Sequence, residues 1–400
     1  ILRKSRGAPK ILRQYLKVLG AAVQESHKLI FGTFALNSTA VISKMPLRWG
    51  ILGAGNISGQ FVHDIVLSNK NKCIDHVISS VGTSDTEKGT RFLQQHGVVP
   101  ENNQGVNATA QNYDDFFASP DIDIVYVGTP HTFHKEQVLL AIKNKKHVLC
   151  EKPFTVTGKD AREVFREAEK SKVFVMEAVW TRFFPVLNHA RELVYKQNVL
   201  GDVYRMTADF SMGADIRSIP ATSRARDIGL AAGATLDIGI YPLTYMRALM
   251  APSREMQFEV KSFLTLDPED GVDHVATYIV KFADGKQAVL TSSNHVDGPS
   301  PFLRLEGTEG TLEMYAINPA QPKRLRVVFK DKSKSDIHID DDSVETGYNG
   351  FIYEANAVAE ALLSGKTQCE TMPWAETQLM MDTMDQIRRE NGLYYKEDRE

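Results

Sequence analysis

The chain has 400 residues, a formal net charge of -3, 42% hydrophobic residues and 24% charged residues. This composition is typical of a globular protein and excludes a disordered tail, a collagen and a coiled coil. The length exceeds what a single hydrophobic core usually holds, so we expect two domains. Cys73, Cys150 and Cys369 are too few and too scattered for a disulfide framework or a thiolate metal site, which favours a reducing, cytoplasmic compartment.

Residues 1–44 differ in charge from the rest of the chain. They contain eight of the 47 basic residues but only one of the 50 acidic residues, so the remainder carries a net charge of -10. A chain this acidic repels phosphates and anionic lipid, so we expect neither nucleic acid nor a membrane as a partner. The basic segment is either a mitochondrial transit peptide or a leader or non-native extension ahead of Met45.

From residue 46 onward, short apolar runs alternate with amphipathic stretches, which is typical of βαβ units around a parallel sheet. The pattern predicts strands at 47–52, 77–81, 123–128, 146–150 and 173–176. It predicts helices at 56–67, 86–96, 134–143 and 160–170. We therefore predict an α/β domain with a doubly wound parallel sheet over residues 46–170.

Beyond residue 201 the period of the apolar residues changes to two. Long alternating segments at 202–212, 257–266, 274–282, 287–296, 302–306 and 324–329 predict an open, mostly antiparallel sheet. Residues 331–349 are predicted to form an exposed loop, and helices are predicted at 353–363 and 374–390. We predict an α+β C-terminal domain over 171–349, with the helices of residues 350–392 packing back on the first domain.

The strongest local signal lies where the first strand meets the first helix. Gly53, Gly55 and Ser58 form a Gly-x-Gly-x-x-Ser turn around Asn56 and Ile57. Glycines let the chain turn tightly and let its backbone approach a pyrophosphate at the helix N-terminus. We predict a Rossmann dinucleotide site with Gly53, Gly55, Asn56 and Ile57 as cofactor-binding residues.

The end of the second strand selects the nucleotide. An acid there would bond the ribose 2'-hydroxyl, whereas hydroxyl and cationic groups would accept a 2'-phosphate. Thr83, Ser84 and Lys88 can hold a phosphate, and Asp85 is either a helix cap or a ribose ligand. The sequence therefore favours NADP over NAD.

Two further motifs follow predicted strands, at the edge where open α/β sheets bind ligands. Thr129, Pro130 and His134 follow one strand, and we assign them to the cofactor site. His131 and His134 have no Cys or acid at ligand spacing, so we predict no metal and interpret the two histidines as loop and helix-cap residues.

The second of these motifs is Glu151-Lys152-Pro153. We assign Glu151 to the cofactor site. Lys152 could lie against the nicotinamide ribose, bond a substrate oxygen and lower the pKa of a neighbouring phenol, or it is a solvated strand end. Asp237 and Tyr241 are four residues apart, which puts both on one face of a predicted helix. Their alternative reading is an acid favoured by the helix dipole beside a buried tyrosine.

Together these motifs resemble the Gfo/Idh/MocA oxidoreductase family, from residue 47 to the C-terminal helices. Most members have His where Tyr241 stands. Tyr241 and the segment 176–185 together resemble the corresponding residues of the NADP-dependent trans-dihydrodiol and fungal D-xylose dehydrogenases of that family.

The resemblance implies roles for individual residues. Tyr241 would be the general acid/base, Lys152 would depress the pKa of the phenol and hold the substrate oxygen, and Asp237 would position the substrate or the Tyr-Lys pair. A sugar or a diol would be the substrate, against a wall formed by Trp180, Arg182 and Phe183. Residues 213–220 and 224–227 would form the rim, and the open sheet would pair two copies into a homodimer.

Two alternative functions compete with a dehydrogenase. The first is a non-catalytic regulator that senses a dinucleotide on the same fold, although a sensor has no need of the proton relay that Lys152 and Tyr241 could form. The second is a metal-dependent hydrolase that uses His131 and His134. The dehydrogenase interpretation uses more of the motifs than either alternative.

Overall fold

A computed structural model describes residues 46–70, 76–214, 216–341 and 347–399. The predicted leader at residues 1–44 lies outside these ranges. Within them, no helix combines the length and the apolar character needed to cross a membrane.

The first sheet has six parallel strands in the described residues, in the order β3-β2-β1-β4-β5-β6. The strands are β1 Leu47–Leu52, β2 His76–Gly82, β3 Thr109–Gln111, β4 Ile124–Val127, β5 His147–Glu151 and β6 Val175–Ala178. The connecting helices are α1 Asn56–Lys70, α2 Thr86–Gln95, α3 Tyr113–Ala118, α4 His134–Lys143 and α5 Gly158–Ser171. The strand order reverses between β1 and β4, which is where an open α/β sheet binds its ligand.

The second sheet has eight described strands in the order β14-β13-β12-β11-β7-β10-β9-β8. They are β7 Val203–Ser211, β8 Phe258–Leu266, β9 Asp273–Phe282, β10 Gln287–Ser293, β11 Leu303–Gly307, β12 Gly310–Tyr315, β13 Arg324–Phe329 and β14 Ile337–Asp340. Neighbours are antiparallel except β7 and β10. Buried and exposed residues alternate along its strands, as expected for a sheet with one face on the core. In β9, Ala276, Tyr278 and Val280 are buried whereas Ile279 and Lys281 are exposed. The predicted fold class is confirmed in both sheets.

Four further α-helices follow β6 in the described residues. They are α6 Pro185–Arg191, α7 Ile240–Met250, α8 Phe351–Leu363 and α9 Trp374–Glu390. α7 is buried along its whole length and packs on β7 and β10. α8 contacts α1, and α9 contacts α5 and β8. The predicted domain boundary at residues 170 and 171 stays a prediction, and β6, which follows it, lies in the first sheet.

The predicted exposed loop at 331–349 is wrong in one part, because it contains β14. Ile337 and Ile339 are partly buried and pair with Val327 and Leu325 of β13. The strand is four residues long and lies at the sheet edge, so its alternation is short and is hidden among charged neighbours. The strands β3 and β12 and the helices α3 and α6 were also not predicted.

Asp64 of α1 holds the start of α8. Its carboxylate accepts hydrogen bonds from the backbone N–H groups of Asn349 and Gly350, each at 2.8 Å, and its side chain is fully buried. The next residue, Phe351, stacks on Trp180 with 4.1 Å between ring centroids. The position of Trp180 therefore depends on a helix that Asp64 caps.

We expect Asp64→Ala to lower the free energy of unfolding by about 1–3 kcal/mol, because it leaves buried N–H groups of the α8 terminus unpaired. Denaturant titration followed by circular dichroism measures this loss. Asn112→Ala is the control, since Asn112 caps α3 at the surface by accepting a 3.0 Å bond from Asp115 N. That exposed cap should cost about 1 kcal/mol. A smaller loss for Asp64→Ala than for Asn112→Ala would contradict the assignment.

Candidate active site

A cavity of about 500 Å³ lies at the carboxyl ends of the first sheet's strands. One wall comes from loops that follow β1, β4 and β5 and includes Gly55, Thr129 and Lys152. The opposite wall comes from the second part of the chain and includes Phe210 and Tyr241. Residues from both halves of the chain therefore face the same space.

The turn after β1 fits a dinucleotide. Gly53 has a φ of +97°, in the region that favours glycine, and its N–H donates to Gly82 O at 3.0 Å. Gly55, Asn56 and Ile57 line the cavity, and the first turn of α1 has no acidic residue. The positive end of α1 therefore faces the cavity without a competing carboxylate, which suits an anionic pyrophosphate.

The same turn brings α1 close to the strand β4. A Cβ atom on Gly128 would collide with Ser58 Oγ, and Ser58 is fully buried. Gly128 N donates to Leu52 O at 3.0 Å, which ties the end of β4 to the end of β1. A small residue is needed at both positions for this packing.

At the end of β2, Asp85 has the first of its two predicted roles, that of a helix cap. Its carboxylate accepts a bond from Lys88 N at 3.0 Å, so Asp85 caps α2. Thr83 Oγ1 accepts a bond from Asp85 N at 3.2 Å, and the side chains of Ser84 and Lys88 are exposed. A hydroxyl and an ammonium group are thus open to a phosphate at this strand end.

The two histidines after β4 differ in what they contact. His131 lines the cavity, and burial lowers its pKa to about 3. His134 is fully buried outside the cavity lining, with its ring nitrogens 2.8 Å from Thr129 O and 2.9 Å from Pro153 O. His134 therefore contacts both of the loops that carry Thr129 and Lys152, and its neutral ring donates a hydrogen bond to one of the two carbonyls. In the described residues no group of three His, Cys, Asp or Glu side chains could hold a metal.

Lys152, Asp237 and Tyr241 come together at one end of the cavity. Lys152 Nζ lies 2.8 Å from Asp237 Oδ1 and donates to Asp237 O at 2.5 Å. The ammonium group lies 5.2 Å from the centroid of the Tyr241 ring. Arg224 contributes a second cation 3.3 Å from Asp237 Oδ1. The arrangement is a carboxylate between two cations beside a phenol.

The local backbone explains why Asp237 and Tyr241 share a face. A π-helical turn at Thr235–Gly239 leads directly into α7, which starts at Ile240. Such turns are frequent at functional sites. A Cβ atom on Gly239 would collide with the hydroxyl of Tyr278, so only glycine allows this close contact with β9.

The charges of the site shift the pKa values of its groups. Burial alone would raise the pKa of Asp237, but Lys152 and Arg224 hold that pKa well below its usual range. Burial alone would lower the pKa of Lys152, but the Asp237 carboxylate raises it. Both groups are therefore charged at neutral pH.

The pKa of Tyr241 is subject to opposing effects. Burial raises the pKa of Tyr241 to about 12, although Lys152 acts in the opposite, lowering direction as predicted. Glu151 and Asp237 add to the rise, and Asp237 also compensates the charge of Lys152. Lys152 therefore lowers this pKa as predicted, but burial outweighs the ammonium group and keeps the phenol protonated at neutral pH.

Glu151 lines the cavity floor beside Lys152 and is buried. Its Oε1 accepts a 2.6 Å bond from the hydroxyl of Tyr126, and its Oε2 accepts a 3.2 Å bond from Lys152 N. Burial raises the pKa of Glu151, and these partners oppose the rise. Glu151 is thus held by its own strand and by β4.

The segment after β6 is brought to the cavity only in part. Trp180 lines it and donates from Nε1 to the Tyr241 hydroxyl at 3.2 Å. Arg182 and Phe183 are absent from the lining. Arg182 donates instead to Thr371 O and to Glu376, each at 3.0 Å, and Phe183 is buried in the hydrophobic core.

Several lining residues were not among the predicted site residues. They are Gln60, Gly128, Phe210, Met212, Leu230, Ile238, Asn318 and Ala320, together with His131. Arg224, which was predicted for the rim, also lines the cavity. Phe210 has the inward parity of Met206 and Ala208 in β7, so strand alternation could have indicated it. Asn318 lies in a loop between β12 and β13, where no periodic signal exists.

Comparison with known proteins identifies the family. The model of an oxidoreductase family with an NAD-binding Rossmann fold, GFO/IDH/MocA, matches residues 47–179, and the model of the GFO/IDH/MocA C-terminal domain matches residues 187–313. The chain belongs to the Gfo/Idh/MocA family. This confirms the resemblance inferred from the motifs, and the chain is an oxidoreductase with a Rossmann fold that binds NAD(P).

Two Gfo/Idh/MocA relatives cover most of the chain. A D-xylose 1-dehydrogenase (NADP(+)) of Hypocrea jecorina is 31% identical over 373 residues, which are 88% of this chain and 93% of the relative. A trans-1,2-dihydrobenzene-1,2-diol dehydrogenase of Xenopus tropicalis is 32% identical over 351 residues, which are 88% of this chain and 100% of the relative. A 3-ketoreductase from Actinomadura kijaniata, solved with NADP and TDP-benzene, shares the fold, with a TM-score of 0.70 and 20% identity. That match covers 86% of this chain and 97% of the 3-ketoreductase.

We expect the stability contributed by Asp237 to disappear in acid. Its pKa in the folded state lies below the unfolded value of about 3.9, so the stabilisation is present above that pH and is lost as the pH falls toward the folded pKa. Asp237→Asn should therefore be less stable than the wild type at neutral pH, and the difference should shrink below about pH 4. Guanidinium unfolding at a series of pH values measures it.

Asp284→Asn is the matched control for this experiment. Asp284 pairs with Lys286 at 2.6 Å in a surface turn. An exposed pair contributes at most about 1 kcal/mol, so this variant should differ little from the wild type at any pH. A stability gap for Asp237→Asn that widens toward acid would overturn the assigned direction of the pKa shift.

Proposed function

We propose that this protein is an NADP-dependent dehydrogenase that oxidises an aldose such as D-xylose, or a trans-dihydrodiol, with Tyr241 as general acid/base. The observation that carries the proposal is the position of the Tyr241 hydroxyl in the cavity, beside the Lys152–Asp237 ion pair and bonded by Trp180. The activities for which the two relatives are named, on D-xylose and on a trans-dihydrodiol, support this substrate class.

The chain's own residues would hold the cofactor along one wall. Gly53, Gly55, Asn56 and Ile57 would bind the pyrophosphate, while Thr83, Ser84 and Lys88 would bind the 2'-phosphate. Thr129, Pro130 and Glu151 would lie along the rest of the cofactor, and His134 would hold that loop in place. When bound, the oxidised cofactor supplies a carbon that accepts hydride and a positive charge on the nicotinamide.

Tyr241 would transfer the proton. A phenol with a pKa of about 12 is protonated at neutral pH, so it is ready to donate when a carbonyl is reduced. In the direction of oxidation it takes the proton of the substrate hydroxyl and must first be deprotonated. Additional positive charge near the ring lowers the pKa of Tyr241 and favours that direction. Lys152 would also donate a hydrogen bond to the substrate oxygen, and Asp237 would orient Lys152.

The cavity fits a ring-shaped substrate. Trp180 and Phe210 present aromatic faces, and Met212 adds an apolar, half-exposed edge. Asn318 and Arg224 add polar groups that could bond hydroxyls. Aromatic faces with a few polar groups suit a sugar or a cyclic diol. Arg182 and Phe183 would act indirectly, because neither lines the cavity.

We also propose a homodimer formed through the open face of the second sheet. Phe263, Ile279 and Val289 are exposed on that face, and Ile279 lies directly opposite Val289 in the sheet register. Exposed apolar side chains on adjacent strands suit burial against another copy. The cytoplasmic location and the domain boundaries remain predictions.

Tyr241→Phe tests the proposed mechanism. We expect kcat for NADP reduction with D-xylose or a trans-dihydrodiol to fall by about 100-fold or more, because the proton acceptor is lost. The KM for NADP should stay unchanged, since Tyr241 is not among the residues proposed to bind the pyrophosphate or the 2'-phosphate. NADPH absorbance measures both quantities.

Tyr245→Phe is the matched control, because Tyr245 is a buried tyrosine on the same helix whose hydroxyl donates to Pro319 O at 2.6 Å. It should retain turnover. Wild-type turnover in Tyr241→Phe would refute the proposed acid/base. Tight NADP binding without turnover of any sugar, diol or carbonyl would instead favour the regulator.

Lys88→Ala tests the choice of nucleotide. We expect the KM for NADP to rise roughly tenfold while that for NAD hardly changes, because only NADP carries the phosphate that the ammonium group would bind. Glu87→Gln on the same helix removes a negative charge, so it should leave the KM for NADP unchanged or lower it. Equal losses for both nucleotides would contradict the predicted phosphate site.

A further inference from the structure

The helical segment that carries Asp237 and Tyr241 is anchored at its first residue, Thr235. The backbone N–H and the hydroxyl of Thr235 both donate to Asp273 Oδ2, at 2.7 and 2.5 Å. Asp273 is the first residue of β9 and is fully buried. A carboxylate from the second sheet therefore caps the segment two residues before Asp237.

The fit between Asp273 and this segment is close. Gly233 has a φ of +136°, and a Cβ atom there would collide with Asp273 Oδ1. The carboxylate reaches the backbone only because residue 233 has no side chain. A negative group at a helix N-terminus is also favoured by the helix dipole.

Other groups hold the same turn but none replaces Asp273. The Tyr278 hydroxyl donates to Thr235 Oγ1 at 3.1 Å, and the Tyr395 hydroxyl donates to Ala232 O at 2.5 Å. Neither accepts the backbone N–H of Thr235. Asp273 Oδ1 has no hydrogen-bond partner in the described part of the chain. Among the described side-chain hydrogen bonds, those that the Asp273 carboxylate accepts both come from Thr235.

We propose that Asp273 is a positioning residue that fixes Asp237 and Tyr241 in the cavity through Thr235. The inference rests on the proposed function, because it requires Tyr241 to act in the reaction. A helical turn moves as a unit, so a displaced Thr235 displaces both side chains. A misplacement of about 1 Å can cost roughly 100-fold in rate.

The experiment compares Asp273→Ala with Asp273→Asn in the full chain. Turnover is measured per active molecule, with the active fraction taken from NADP binding stoichiometry. We expect Asp273→Ala to lower kcat by roughly 10- to 100-fold with an unchanged KM for NADP. Asp273→Asn should lie closer to the wild type, because its amide oxygen can still accept both the backbone N–H and the hydroxyl of Thr235.

Asn103→Ala is the matched control for a purely structural loss. Asn103 is fully buried, accepts a 2.8 Å bond from Ile78 N and donates a 2.8 Å bond to Ile78 O. It should lower the melting temperature as Asp273→Ala does but keep kcat per active molecule. If Asp273→Ala does not fold, Thr235→Val removes one of the two bonds and should lower kcat in the same direction.

The Tyr241→Phe background separates this proposal from the proposed function. Adding Asp273→Ala to Tyr241→Phe should lower the residual kcat much less than it lowers that of the wild type, because one of the two positioned groups is already gone. Equal fold-losses in both backgrounds, or wild-type kcat in Asp273→Ala, would overturn the positioning role alone. Wild-type turnover in Tyr241→Phe itself would overturn both.

Discussion

The ion pair between Lys152 and Asp237 is the interaction on which the site depends. It joins the end of β5 in the first sheet to the helical segment that leads into α7 on the second. Burying both charges costs desolvation free energy. This cost is offset because the two groups form an ion pair and because Lys152 also donates a hydrogen bond to Asp237 O. The pair therefore joins the two walls of the cavity directly.

This pairing also explains the state of Tyr241. An unpaired ammonium group near the ring would lower the pKa of the phenol, but here its field is partly cancelled by the carboxylate it binds. Burial then dominates and keeps the phenol protonated. Arg224, whose side chain is exposed, forms a second ion pair with the Asp237 carboxylate. A ligand that binds Arg224 or Asp237 therefore also changes the electrostatic potential at the Tyr241 hydroxyl.

Hydrogen bonds and ring contacts between residues that are far apart in the sequence hold the elements around this ion pair in place. His134 ties the β4 loop to the β5 loop, Asp64 caps the helix whose Phe351 stacks on Trp180, and Asp273 caps the segment before Asp237. Each is a buried polar side chain bonded to backbone of another element. Such bonds hold loops in place where hydrophobic packing alone would allow several arrangements.

The sequence by itself determined the features that are local. The glycine turn after β1, the alternation in β9 and the common face of Asp237 and Tyr241 all follow from backbone periods of a few residues. Tertiary structure alone decided that Lys152 meets Asp237, that Arg182 turns to Glu376 and that Asn318 reaches the cavity. It also decided the direction of the Tyr241 pKa. These outcomes depend on burial and on charges far apart in the chain, and no local pattern of residues encodes either.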